Sequence, residues 1–286
     1  KFIPVEEVEQ IYLMGENTFN TKLIDFLSQN NVILHFFNYY GFYTGSFYPR
    51  EENLSGKLII LQAENYLNKE KRLKLAKSFV EGSLHNLARI LEKRGFGEEF
   101  NFIKVIEKDI EECKTINEIM LKEAMARKTY YSTFEKITGW EFEERSMRPP
   151  KNPLNAMISF GNSTLYTCIL KEVYKTPLNP TISFLHEPFE RRFSLCLDIS
   201  EIFKPIFVDR LIFKLINNSI IKEENFLKEL NFCYLNEEGR KKFVEEFDKM
   251  QEETILHRGL KRKIKYKNLI RLELYKLIKG LLGEKE

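Results

Sequence analysis

The chain has 286 residues, 43% hydrophobic and 30% charged, which gives it enough apolar surface for one large or two modest cores and sets it apart from disordered chains. A formal net charge of only +3 rules out the global basic excess that announces nucleic acid. No apolar run reaches the length of a bilayer span, and no signal peptide is expected. The four cysteines, Cys113, Cys168, Cys196 and Cys233, lack CxxC or other ligand spacing and fit buried thiols of a reducing cytoplasm.

In chain order, the first sixty-odd residues read as β-rich. QIYLMG, NVILHFF, GFYTGSFYP and KLIILQ are short β-branched or aromatic runs separated by Asn, Gly and Pro. One helix interrupts them, NTKLIDFLSQN, capped by Asn20 or Thr21. The aromatic density of HFFNYYGFYTGSFY exceeds what so small a sheet buries, which points to self-association. Native residues are expected to precede Lys1. From Asn65 onward a 3.6-residue period takes over, beginning with a long helix that Gly95 closes. Further helices are expected at 104–112, 115–137, 153–172, 194–203, 207–221, 223–230, 237–255 and 257–282. The fold class is therefore α+β: a small β-rich domain over 1–66, then a larger all-α domain over 67–286.

Several residues break these patterns. On the 115–137 helix, Ile116, Ile119, Met120, Tyr130, Tyr131 and Phe134 share one face, and Glu123 and Arg127 fall in its middle. An i, i+4 ion pair that fixes packing would explain this, and so would a polar cavity waiting for a ligand. On the 194–203 helix, Asp198 and Glu201 are surface neighbours whose like charges repel unless a cation intervenes. His186 stands shortly before them in a tight FLHEP turn. Carboxylates plus one imidazole suit Mg²⁺ or Mn²⁺ better than a thiol-seeking metal, provided that the groups converge. Arg145, Arg148 and Lys151 cluster in a Pro-rich loop ahead of a helix with Asn155, Ser159, Asn162 and Tyr166. This is either a phosphate-contacting loop facing a polar site or an exposed loop with capping amides. From Arg258 to Lys279, nine Lys or Arg face one acid, Glu273. That run is either a solvated face or a surface for phosphates.

EAMARKTYY, RPPKNPLNAMISFGNSTLY, FLHEP and SLCLDISEIFKPIFVDRLIFKLI, in this order and spacing, closely resemble the CRISPR-associated adaptation endonuclease family, the integrase subunit of CRISPR systems, and most of all its type I members. The likeness covers nearly the whole chain. It implies strand transfer: a spacer 3′-hydroxyl attacks a phosphodiester at a repeat edge. It also implies a divalent metal, Mg²⁺ or Mn²⁺, held by Glu123, His186 and Glu201, with Asp198 as a further acid beside it and Arg127 lining the site or orienting Glu123. Arg145, Arg148 and Lys151 match the family's basic loop. With Arg127, Asn155, Tyr166 and the Lys261, Arg262, Lys263 stretch they form the expected DNA-contacting set. The implied partners are double-stranded and branched DNA, a second copy through the β domain, and a small adaptation protein bridging two dimers, all in the cytoplasm and away from membranes. Ser183 replaces a common Gly, Lys204 replaces a common Arg, and the usual opening β hairpin is partly absent. Two other readings share these residues: a metal-dependent nuclease acting outside spacer acquisition, and a non-catalytic DNA-binding scaffold with Glu123–Arg127 as a core pair.

Overall fold

The structure, a computed structural model, describes residues 3–49, 53–188, 193–229, 232–257 and 259–284. It divides into two compact units, with the boundary between Leu54 and Ser55. In the first unit, β1 (Gln10–Met14), α1 (Thr21–Gln29), β2 (Ile33–Phe37) and β3 (Tyr43–Phe47) follow one another. β2 is central, parallel to β1 and antiparallel to β3. Asn20 caps α1, its side chain accepting from the Leu23 N–H at 3.0 Å. Leu27, Val32 and Leu34 form the core, with Ile11, Leu13, Ile24, Phe36 and Phe47 packed on it. His35 is wholly buried among Tyr12, Tyr43 and Tyr48. Tyr39 and Tyr40 remain exposed.

The second unit is mostly helical. Its first helix, α2 (Gly56–Leu67), corrects the expectation that KLIILQ is a strand and moves the division of the chain from 66/67 to 54/55. Ser55 caps it, accepting from the Leu58 N–H. The run is continuous in its apolar residues, and such a run carries no period to distinguish helix from strand. Then come α3 (Lys69–Arg94), α4 (Gly97–Asp109), α5 (Ile116–Tyr131), α6 (Phe134–Thr138), α7 (Pro153–Tyr174) and α8 (Ser194–Phe203). Gly95, at φ +78°, closes α3, a left-handed position that glycine occupies without strain. A π-helical turn, Lys204–Asp209, joins α8 to α9 (Arg210–Asn217), with Pro205 near its start.

Two expected helices are strands at least in part. Residues 223–230 enter β4 (Phe226–Glu229), paired with β5 (Phe232–Leu235). Phe226, Cys233 and Leu235 point inward at a strand's two-residue spacing. After α10 (Glu237–Glu252), β6 (Thr254–His257) and β7 (Arg262–Lys265) form a second hairpin before α11 (Tyr266–Leu282). Gly259 in the turn disfavours helix by about 1 kcal/mol relative to Ala. Lys261, Arg262 and Lys263 therefore sit on a hairpin and not on a helix, and Arg258, which opens the basic run, lies outside the described residues.

The core of this unit gathers where α3, α7, α8 and the π-helical turn meet. Gly161 on α7 allows the closest approach: a Cβ there would stand 2.6 Å from Val208 Cγ1 and 2.9 Å from Phe243 Cζ. No helix among the described residues is long and apolar enough to cross a membrane.

Candidate active site

Arg127 is the hub of the polar interior. α5 is capped by Thr115, which accepts from the Glu118 N–H, and buries Ile119, Ala126 and Tyr130. Arg127 lies on that buried side, 8% exposed. Its Nε donates to Glu123 Oε1 at 2.9 Å, one turn back. Its Nη2 donates to Glu201 Oε2 at 3.0 Å, to the Glu201 carbonyl at 3.2 Å and to Ser83 Oγ of α3 at 3.1 Å. One guanidinium thus holds a carboxylate from α5 and another from α8. Burial alone would lower its pKa, but the Glu201 and Glu123 charges raise it, so it stays cationic. Met120, expected on the inward face, is 41% exposed, because the ion-pair side of α5 turns in ahead of it.

Glu201 is held twice, since Lys204, one turn on, also bonds its Oε1. Burial would raise the Glu201 carboxyl, yet the Lys204 and Arg127 charges overcome it and hold the pKa at about 2. Asp209, at the end of the π-helical turn, approaches Arg127 Nη1 only to 4.0 Å. There burial wins over the Arg127 charge and pushes the carboxyl up to about 6. Among the described residues, buried Arg127 Nη1, Asp209 Oδ2 and Tyr130 Oη find no partner at hydrogen-bond distance.

Asp198 has a different role from Glu201. Fully buried, it accepts from the backbone N–H groups of Phe184 and Leu185 on Oδ2 at 2.6 and 3.0 Å. Its Oδ1 accepts from the His186 N–H at 2.9 Å and is 2.8 Å from His186 Nδ1. Four contacts saturate the carboxylate. It orients the imidazole and leaves Nε2 as the nitrogen available for a ligand, so Asp198, expected as a further acid beside the metal, has no oxygen left over for one. Burial lowers the His186 pKa, but the Asp198 hydrogen bond and charge raise it further. Ser183 closes the turn, its Oγ donating to the His186 carbonyl at 2.6 Å. Arg72 ties the turn to α3, donating to the Phe184 carbonyl at 2.8 Å and to Glu187 at 2.7 Å.

The chain's family membership follows from comparison. The family model of CRISPR associated protein Cas1 matches residues 1–249. This chain belongs to the Cas1 family. The CRISPR-associated endonuclease Cas1 2 of Moorella thermoacetica is 58% identical across the whole chain and 89% of its own length. A solved CAS1 protein from Thermotoga maritima is 42% identical, with a TM-score of 0.89 over 100% of this chain and 89% of that one. A casposase bound to an integration product shares the fold, with a TM-score of 0.89 at 22% identity, over 98% of this chain and 80% of that one.

For a Cas1 protein, the available donors are the His186 imidazole and the Glu123 and Glu201 carboxylates, a set chemically suited to a hard divalent cation. Two positive groups already rest on Glu201, and an entering cation would have to displace or work against them. Among the described residues, however, no three His, Cys, Asp or Glu side chains stand assembled as an ion-holding group. Lys204 and Arg127 occupy the Glu201 oxygens, and the ligand set closes only if Lys204 yields.

The remaining expected residues separate into two groups. Arg148, Lys151, Lys261, Arg262 and Lys263 are exposed and have no carboxylate partner among the described residues. Asn155 is instead fully buried. Its Oδ1 accepts from Arg145 Nη1 at 2.9 Å and from the Ser146 N–H at 3.0 Å, and its Nδ2 donates to the Glu144 carbonyl at 2.8 Å. That amide is spent fixing the 144–146 loop, so Asn155 is not placed to touch DNA. Arg145, half-buried, is spent likewise, on Asn155 and on Ser159 Oγ at 3.0 Å. The Tyr166 hydroxyl accepts from the Phe193 N–H at 3.2 Å and braces the entry to α8. Ser83, Asp209 and the bond of Lys204 to Glu201 were not expected. The i, i+3 spacing of Glu201 and Lys204 carried a signal, and so did the adjacent acid and base, Asp209 and Arg210, within the apolar IFVDRLIF, but Ser83 carried none.

Proposed function

We propose that this Cas1 protein is a divalent-metal-dependent DNA strand transferase that joins the 3′-hydroxyl of a spacer to a phosphodiester at the edge of a CRISPR repeat. One observation carries the reading: a single buried guanidinium, Arg127, draws together Glu123 and Glu201 from different helices, while Asp198, three residues before Glu201, orients His186. His186 Nε2, Glu123 and Glu201 hold Mg²⁺ or Mn²⁺. When bound, the cation polarises a phosphoryl oxygen and offsets the charge that develops on it.

The chain's own residues position the reactants. Arg127 fixes both carboxylates so that neither reorganises during the reaction. Asp198 holds the imidazole in one orientation and leaves Nε2 facing outward. Exposed Arg148, Lys151, Lys261, Arg262 and Lys263 hold phosphates without reading bases. The hydroxyl oxygen forms a bond to phosphorus as the bond to the array's own 3′-oxygen breaks. The attacking group loses one proton and the leaving oxygen gains one. With so little covalent work for the protein, in-line placement dominates the rate. A second copy joins through the β unit, where Tyr39 and Tyr40 lie exposed, and a small partner protein bridges two such dimers.

The test is transfer of a labelled duplex spacer into a repeat-bearing plasmid, with the partner protein present. Wild type joins with Mn²⁺ and stops with EDTA. Glu123→Ala abolishes joining while the protein remains folded. Joining that survives the substitution contradicts the assignment.

A further inference from the structure

Asp209 is buried beside Arg127, and nothing in the strand-transfer reading uses it. α8, the π-helical turn and α9 follow one another without a break. In a regular α-helix, about 100° per residue would carry Asp209 about 80° round the axis from Glu201. A π-helical turn takes in one extra residue, which brings Asp209 back to within about 20° of Glu201. Both carboxylates therefore face Arg127, Glu201 at 3.0 Å from Nη2 and Asp209 at 4.0 Å from Nη1.

The two sides of the guanidinium differ. Glu123, Glu201 and Ser83 take up Nε and Nη2. Nη1 looks toward Asp209, and Tyr130 stands near enough to Asp209 to act on its carboxyl. The Tyr130 hydroxyl keeps its proton, because burial and the Asp209 charge raise its pKa well above the ordinary value. This buried pocket of polar atoms thus holds two donors, Arg127 Nη1 and Tyr130 Oη, and one acceptor, Asp209 Oδ2, none of them at hydrogen-bond distance from another described group. A separation of 4.0 Å is too long for a direct bond. It suits a bridging water, which requires roughly two to four polar partners.

Charge gives this acid a purpose. Without a metal, Arg127 and Lys204 offset Glu123 and Glu201, two against two. Asp209 is then surplus, and burial outweighs the Arg127, Lys204 and Arg145 charges that favour its ionised form. A divalent cation on Glu123 and Glu201 reverses the balance, since it draws on both carboxylates that neutralise the buried guanidinium. We infer that Asp209 is a positioning residue for strand transfer, anchoring Arg127 from behind through a water shared with Tyr130 while Glu123 and Glu201 turn to the metal. The inference rests on the metal-site reading and adds to it a third carboxylate that serves Arg127 and not the cation.

Mn²⁺ titration by electron paramagnetic resonance, paired with denaturant unfolding in EDTA, tests it on the full chain. Asp209→Asn keeps the size of the side chain and removes its charge. It is expected to weaken Mn²⁺ binding roughly tenfold. The metal-free variant is expected to be as stable as wild type or more so, because a buried acid without a direct partner is gone. Tyr130→Phe is expected to lose less affinity, in the same direction. A purely structural residue would lower stability and affinity together, and that result, or a variant that does not fold, overturns the inference. Mn²⁺ affinity in Asp209→Asn equal to wild type also overturns it, and leaves the metal ligands standing. Wild type that binds no Mn²⁺ overturns the metal-site reading, and the inference with it. A crystal structure of EDTA-treated wild type gives a readout free of metal. A water within hydrogen-bond distance of all three atoms is expected, and a dry gap or a direct Arg127–Asp209 bond overturns the shared-water anchor.

Discussion

Two buried carboxylates stand one turn apart on α8, and the protein handles them in opposite ways. Against the FLHEP turn, backbone N–H groups and an imidazole saturate Asp198. Toward the C-terminal end, Glu201 is held by two side-chain cations, Arg127 and Lys204. Backbone donors cannot leave without undoing the turn, whereas a lysine side chain can swing away. The first arrangement builds structure and the second leaves room for exchange. Two acids that look equivalent in sequence are thereby divided into a positioning group and an exchangeable one, the one proposed as a metal ligand.

The largest expected effect breaks the fixed end. Asp198→Ala strands three buried N–H groups and should cost on the order of 4 kcal/mol of stability, measured by denaturant unfolding. A cost under 1 kcal/mol would mean that the turn does not depend on the carboxylate. The exchangeable end comes next, and its signature is pH. Glu201 is held at about 2, below its ordinary 4.5, so its contribution is complete above pH 4.5 and fades as pH falls toward 2. Wild type should exceed Glu201→Gln by about 3 kcal/mol at pH 7, with the gap closing through that acid window in melts taken at stepped pH. A gap that stays constant would remove the ionic role. Lys204→Met sharpens the contrast with the smallest effect. It should cost the metal-free protein about 1 kcal/mol, as partly exposed ion pairs do, while Mn²⁺ stabilises the variant more than wild type in parallel melts.

Much of this was legible beforehand because it breaks a pattern. Glu123 and Arg127 interrupt an apolar face, and Asp198 and Glu201 crowd like charge onto one helix. What was hidden depends on partners distant in sequence. Ser83 becomes part of the site only when α3 packs beside α8. Asp198 and Glu201 were indistinguishable until the 183–186 turn folded back on one of them. KLIILQ read as a strand because nothing in the run records Gln62, which is buried and donates to the Asn179 carbonyl at 3.1 Å. The basic run near the C-terminus read as helix because charge density masked the pairing of Ile255 with Ile264.

The most direct test of the account is Mn²⁺ titration followed by electron paramagnetic resonance, on folded wild type, Glu123→Ala, His186→Ala and Glu201→Gln. The account predicts an Mn²⁺ site in wild type that each substitution weakens by more than roughly tenfold. Binding in all three variants equal to wild type, or no binding in wild type, would contradict it.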